Sequence, residues 1–360
     1  MILTSMTNKK IYFGIIGMAG AVIMATLLIY STENIGKNEN KENLVQSKLN
    51  SSSLKLIQTI QLPNVSGRID HMDIDLDGKR LFVSELGNNS VDVIDLTTEK
   101  HIKSITGLHE PQGIVFVPNT NKIFVANGQD GTVQIFDAST YSLVNTISLT
   151  GDADNIHYDQ YQKLVYVGFG NGGLAIIDPT KLELLDIIKL DGHPESFQIS
   201  DKLQPGIFVN VPEDNSIAII DAQKRTISTK WQNSEAGGNY PMALDDGNHR
   251  LFIVYRSPSQ LQVINTDTGK PVAKLDIVKD ADDIFFDNKT GQIYITGGEG
   301  YLDVISQKDA NNYQEIAKTP TGDGGRTSLF VPQLDRLYIA VPDYSGSDAK
   351  LLVFETHKIQ

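Results

Sequence analysis

An all-β, seven-bladed propeller is the fold this sequence predicts. A repeat near 42 residues runs through most of the chain, each repeat holds about four short strands, and no helical period of useful length appears. The apolar residue opening the most hydrophobic strand of each unit falls at Leu81, Ile123, Val165, Ile207, Leu251, Ile293 and Leu337, giving successive spacings of 42, 42, 42, 44, 42 and 44. Each of these strands leads through a Gly-, Asn- and Asp-rich turn into a second apolar strand. VDVID ending at Asp95, VQIFD at Asp137, LAIID at Asp178 and IAIID at Asp221 are such strands. A third, outer strand then runs toward the next unit.

Taken in chain order, the first element is apolar. Lys9 and Lys10 precede an uncharged run from Ile11 to Tyr30. Twenty residues at 1.5 Å rise span about 30 Å, the thickness of a bilayer core. Small-x-small cleavage residues are missing after it, so an uncleaved anchor is expected over residues 11–30, with a cleaved signal as the alternative. The two lysines set residues 1–10 on the cytoplasmic side and the rest of the chain outside: a single-pass protein of the cell membrane. Residues 31–53 are rich in Asn, Ser, Lys and Glu, with no aromatic residue, and read as a flexible tether. Residues 54–360 form the propeller. Six units are complete, but the seventh (326–355) lacks an outer strand. Residues 54–62 (LKLIQTIQL) are expected to supply it and close the ring, which removes a free sheet edge.

Composition narrows the function. The 360 residues carry 31 Lys and Arg against 44 Asp and Glu, a formal charge of −13, so no nucleic-acid partner is expected. Cysteine is absent, which excludes disulfides, thiolate metal sites and cysteine nucleophiles. No G-x-S-x-G elbow, H-E-x-x-H or Walker A sequence occurs.

The repeat also acts as a ruler. One channel-mouth position per blade reads Asp70, Gln112, Asp154, Glu195, Tyr240, Asp282 and Arg326. The next position reads His71, Gly113, Asn155, Ser196, Pro241, Asp283 and Thr327. Strand alternation points one set inward; the first is favoured, because the second contains Gly113 and Pro241. Four carboxylates on one axis repel each other, so protons, Arg326 or a cation must neutralise them. Asp70, Asp154, Glu195 and Asp282 are thus candidate ligands for a divalent ion such as calcium or magnesium. A water-filled polar channel with Arg326 as structural glue is the alternative. His71 and His193 are the two histidines the repeat brings near this face, and both join the set of candidate ligand-binding residues. Among the loops of that face, Tyr255-Arg256 and Tyr344 are the least turn-like.

The runs LFVSELGNNSVDVID and IFVANGQDGTVQIFD resemble the YVTN-type repeat of the YncE-like propeller family, over roughly residues 54–355. The resemblance implies a seven-bladed fold and says little about activity. Two functions stay open. One is a binding or interaction module using the acidic mouth for a cation, a small polar ligand or a protein. The other is a metal-dependent, lactonase-like hydrolase using the same mouth.

Overall fold

A computed structural model describes residues 54–200, 206–233, 235–343 and 348–357. The expected anchor (11–30) and tether (31–53) lie outside the described residues, as does Tyr344. No described helix is long and apolar enough to cross a membrane.

The described residues form seven four-stranded antiparallel sheets. From the axis outward, blade 1 holds Met72–Asp75, Arg80–Glu85, Ser90–Asp95 and Lys100–Thr106; blade 2 holds Pro111–Val117, Lys122–Asn127, Thr132–Asp137 and Leu143–Ser148. Blade 3 holds Ala153–Asp159, Leu164–Phe169, Gly173–Asp178 and Glu183–Lys189, and blade 4 Ser196–Ile199, Gly206–Val211, Ser216–Asp221 and Thr226–Gln232. Blade 5 is Gly237–Asp245, Arg250–Ser257, Ser259–Asn265 and Lys270–Asp276, and blade 6 Ala281–Asp287, Gln292–Gly297, Tyr301–Asp309 and Asn312–Pro320. In blade 7 the strands Thr327–Val331, Arg336–Val341 and Lys350–Glu355 are completed by Lys55–Gln61, which pairs antiparallel with Lys350–Glu355. The closing strand is therefore the expected one, one residue shorter at each end.

The packing follows from the β-branched and aromatic content of the two middle strands. Their apolar side chains point to both faces of each sheet, so seven core layers form, one between each pair of neighbouring blades. Phe252 of blade 5 meets Phe286 of blade 6 with ring centroids 5.2 Å apart. Phe82 of blade 1 meets Phe116 of blade 2 at 6.0 Å. Burying one such side chain stabilises by about 1.5–3 kcal/mol. The layer between blades 7 and 1 includes Ile60 and Leu62, so the closing segment contributes core as well as hydrogen bonds.

The Asp that ends most third strands has a local role. Asp95, Asp137, Asp178, Asp221 and Asp309 each accept hydrogen bonds from the backbone N–H groups two and three residues on. These contacts fix the turn into the outer strand.

Candidate functional site

Both repeat positions, not one, reach the channel. In blades 2, 3, 5 and 6 the pairing of the innermost strand is interrupted at Gln112-Gly113, Asp154-Asn155, Tyr240-Pro241 and Asp282, respectively. In blades 1, 4 and 7 the innermost strand starts only at Met72, Ser196 and Thr327, leaving Asp70, His71, Glu195 and Arg326 in the preceding loops. Alternation holds only where a ladder is regular; a bulge or a loop turns neighbouring side chains the same way. A cavity of about 330 Å³ is accordingly lined by Asp154, Glu195, Tyr240 and Asp282 of the first set and by His71, Gly113, Asn155, Ser196, Pro241 and Asp283 of the second. Asp73, Val115 and His157 line both this cavity and a second one of about 410 Å³ bounded by Phe116, Tyr158 and Tyr161.

The mouth is divided by charge. On one side three arginines surround Asp282. Arg326 Nε lies 3.0 Å from its Oδ2, Arg68 Nη2 lies 3.7 Å from the same oxygen, and Arg256 pairs with Oδ1. Arg256 also stacks over the Tyr240 ring at 4.0 Å. Arg68 Nη2 lies 2.9 Å from Asp70 Oδ2 as an ion pair, and Arg326 reaches Asp280 at 3.3 Å.

On the other side stand Asp154, His193 and Glu195, whose nearest ligand atoms all lie within 4.8 Å of one another. His193 Nδ1 is 2.7 Å from the Gly170 carbonyl oxygen, and its Nε2 is 3.6 Å from Asp154. Burial alone would lower the His193 pKa, but Asp154, Gly170 and Glu195 raise it to about 9. Burial and the Asp154 charge push Glu195 up to about 7.

Deeper in, His71 lies between Asp70 (Nε2–Oδ1 3.7 Å) and Asp283 (Nδ1–Oδ1 3.8 Å). Burial opposes its charge, yet Asp70, Asp283, Asp154 and Asp282 together raise it to about 9. Asp283 accepts the Ser328 N–H at 2.6 Å, and burial lifts it to about 7. At the waist, burial lifts Asp73 to about 7 and lowers His157 to about 4. The neighbouring acids thus favour the charged forms of His71 and His193, while burial favours the neutral forms of His157, Asp73, Glu195 and Asp283.

Of the four acids read as oxygen ligands, Asp154 and Glu195 come together, and they do so with His193. Asp70 and Asp282 face arginines instead. The donor set assembled here is mixed nitrogen and oxygen, where four oxygens were expected. Gln112 stands apart, donating to Asp152 at 2.8 Å. Sequence reasoning missed Arg68 and Asp280. Both sit two residues before the chosen mouth position, as do Asp152 and His193, so moving the ruler by two positions finds them.

Fold and site define a seven-bladed propeller with a narrow, polar, charge-divided channel mouth. A sequence profile of the cytochrome D1 heme domain matches residues 83–315, and the chain belongs to that family. It is 23% identical over 141 residues to the seven-bladed beta-propeller protein Rv1057 of Mycobacterium tuberculosis, a match spanning 38% of this chain and 36% of that protein. Hydrazine synthase of Kuenenia stuttgartiensis superposes with a TM-score of 0.71 at 18% identity, covering 84% of this chain and 99% of that one. A chain of the mitotic checkpoint complex superposes with a TM-score of 0.71 at 15% identity, covering 85% and 93%. These two likenesses concern the fold alone.

The family's name implies a haem, and the residues at this mouth do not fit one. The carboxylate arms of a haem would meet Asp154, Glu195, Asp282 and Asp283, while the arginines able to receive them are already engaged by Asp70, Asp280 and Asp282. Neighbouring acids hold His71 and His193 toward their protonated forms, so an iron would have to displace a proton from either. His157 stays neutral but stands edge-on to Phe197 at 4.7 Å. A cavity of about 330 Å³ is also near the lower limit for a small-molecule site.

Proposed function

We propose that the propeller is a binding module whose channel mouth takes a small polar ligand carrying positive charge. One observation carries this reading: among the described residues no arginine lies at ion-pair distance from Asp154 or Glu195, which face the cavity beside His193, whereas three arginines hold Asp282 and Asp70. A cation entering between Asp154 and Glu195 competes with the proton that burial and the Asp154 charge favour on Glu195, so its binding strengthens as the pH rises. The Arg68–Arg256–Arg326 side then meets any hydrogen-bond acceptor on the same ligand. A concave site of this size suits a small molecule better than a protein surface.

The same residues favour a second reading, a divalent ion held by Asp154, His193 and Glu195. Such an ion would support a metal-dependent hydrolase by polarising a carbonyl and activating water. The run Ile11–Tyr30 supports a membrane-anchored chain with the propeller facing outward, and the repeat sequences support kinship with YncE-like propellers.

The test is thermal and urea unfolding of the chelator-stripped full chain, with and without calcium, magnesium, manganese or zinc, and with a panel of free amino acids. A ligand at a hundred times its dissociation constant adds about 2.7 kcal/mol. Stabilisation is expected from at least one probe, weaker below pH 7, and abolished by Asp154→Asn. A flat response to every probe, or an unchanged response in Asp154→Asn, contradicts the reading. Hydrolysis of small lactones by the metal-loaded chain would select the second reading.

A further inference from the structure

The outer rim differs from blade to blade. Outer strands are free sheet edges, and edge lysines are one way of keeping such edges apart. The outer strands of blades 1, 4, 5 and 6 carry a lysine inside the row, at Lys103, Lys230, Lys274 and Lys318, and blade 7 has Lys55 at its end. Blade 2 has none, and blade 3 has Lys189 only at its end. These two neighbouring edges expose Leu143, Val144, Leu184, Leu185 and Ile187, each between 38% and 52% accessible, whereas the outer strands of blades 1, 5 and 7 expose one large apolar side chain each, Ile102, Val272 and Leu56. Asn145 Nδ2 donates to the Leu182 carbonyl oxygen at 2.9 Å, which ties the two edges side by side into one apolar patch.

The charges around that patch are self-complementary. The edge reads KLELLDIIKLD from Lys181 to Asp191. Laid antiparallel against a second copy of itself about Asp186, it sets Glu183 opposite Lys189 twice and brings Lys181 to Asp191, which Lys230 of the next blade already holds. Leu185 then faces Ile187, both exposed, while Ile188, opposite Leu184, is already buried in the core between blades 3 and 4. Opposite charges across strands attract, and apolar pairs add burial. The single like-charge meeting, Asp186 with Asp186, is offset because Arg225 of the next blade already sits 3.2 Å from each Asp186. Such a contact is isologous and closes at two copies.

We propose that the chain forms a two-fold dimer through the outer edge of blade 3, residues 181–191, extended by the apolar edge of blade 2. The contact lies on the outer rim, and its test does not depend on what the channel mouth binds.

The test uses the full chain in a mild detergent and measures its mass by sedimentation velocity, with circular dichroism to verify the fold. The wild type is expected to be a dimer. Glu183→Lys places like charges opposite each other twice and is expected to be monomeric. The exchange Glu183→Lys with Lys189→Glu restores every pairing and is expected to recover the dimer. Ile187→Lys, which adds the missing edge lysine, is expected to be monomeric and serves if Glu183→Lys does not fold. A monomeric wild type overturns the proposal. So does a dimer that persists in Glu183→Lys or Ile187→Lys, as it would if the contact lay elsewhere. A charge exchange that stays monomeric overturns the antiparallel pairing.

Discussion

Replacing His71 by Gln removes the deepest positive charge of the channel, and its effect on stability has a calculable pH dependence. In the folded chain His71 titrates at about 9, against an ordinary value of 6.5, because Asp70, Asp283, Asp154 and Asp282 outweigh its burial. A group whose pKa rises on folding stabilises fully below its unfolded value. That contribution is lost as the pH climbs through the folded value. For His71 the loss therefore runs from about pH 6.5 to above pH 9. The whole contribution is about 3 kcal/mol, at roughly 1.36 kcal/mol per tenfold change in proton affinity. Between pH 8 and pH 10 the loss amounts to about 1.4 kcal/mol for this one group. Urea unfolding at several pH values measures it through the midpoint and the slope. The wild type is expected to lose at least about 1.4 kcal/mol more than His71→Gln between pH 8 and 10. Parallel profiles for the two proteins over that interval would refute the assignment of a protonated His71 held between Asp70 and Asp283.

The remaining expectations concern the mouth and the core. Asp154→Asn should lower the titration of Glu195 from about 7 toward the ordinary glutamate range, because the Asp154 charge is one of its two main causes. A carboxyl-resolved NMR titration reads this, and an unmoved Glu195 contradicts it. Asp282→Ala leaves Arg68, Arg256 and Arg326 facing one another without their shared anion, and by urea unfolding it should cost about 3–5 kcal/mol. A loss below 1 kcal/mol, by the same cited scale, would show that solvent already screens the three arginines. Phe252→Ala empties a fully buried site between blades 5 and 6, against Phe286, and should cost about 3–5 kcal/mol.

The wheel was legible in the sequence because each blade repeats one pattern: an apolar middle strand, a Gly- and Asn-rich turn, and an Asp that closes the next. Ring closure was legible as a mismatch, an orphan strand before the first unit and a missing one after the seventh. The mouth was harder to read. The ruler finds Asp154, Glu195, Tyr240 and Asp282 and keeps His71 as a candidate, but alternation disfavours Asn155 and Asp283. Alternation is a property of regular ladders, and here bulges and pre-strand loops break it. Nor could spacing tell which acids an arginine already holds. Asp70 and Asp282 read as free ligands until Arg68 and Arg256, from other parts of the repeat, are seen beside them.

Since the chain has no cysteine, one engineered pair can test how the ring closes. Gln61 and Lys350 are cross-strand partners in blade 7. Gln61→Cys with Lys350→Cys, oxidised in the full chain, should form an intramolecular disulfide, because antiparallel partners meet its spacing requirement. Gln61→Cys with a cysteine at Lys100, in the outer strand of blade 1, should stay reduced. Thiol counting after mild oxidation reads both. A bridge in the first protein and free thiols in the second are the expected results. Free thiols in the first would mean that residues 55–61 do not complete the seventh blade, and the channel built on that closed ring would have to be abandoned.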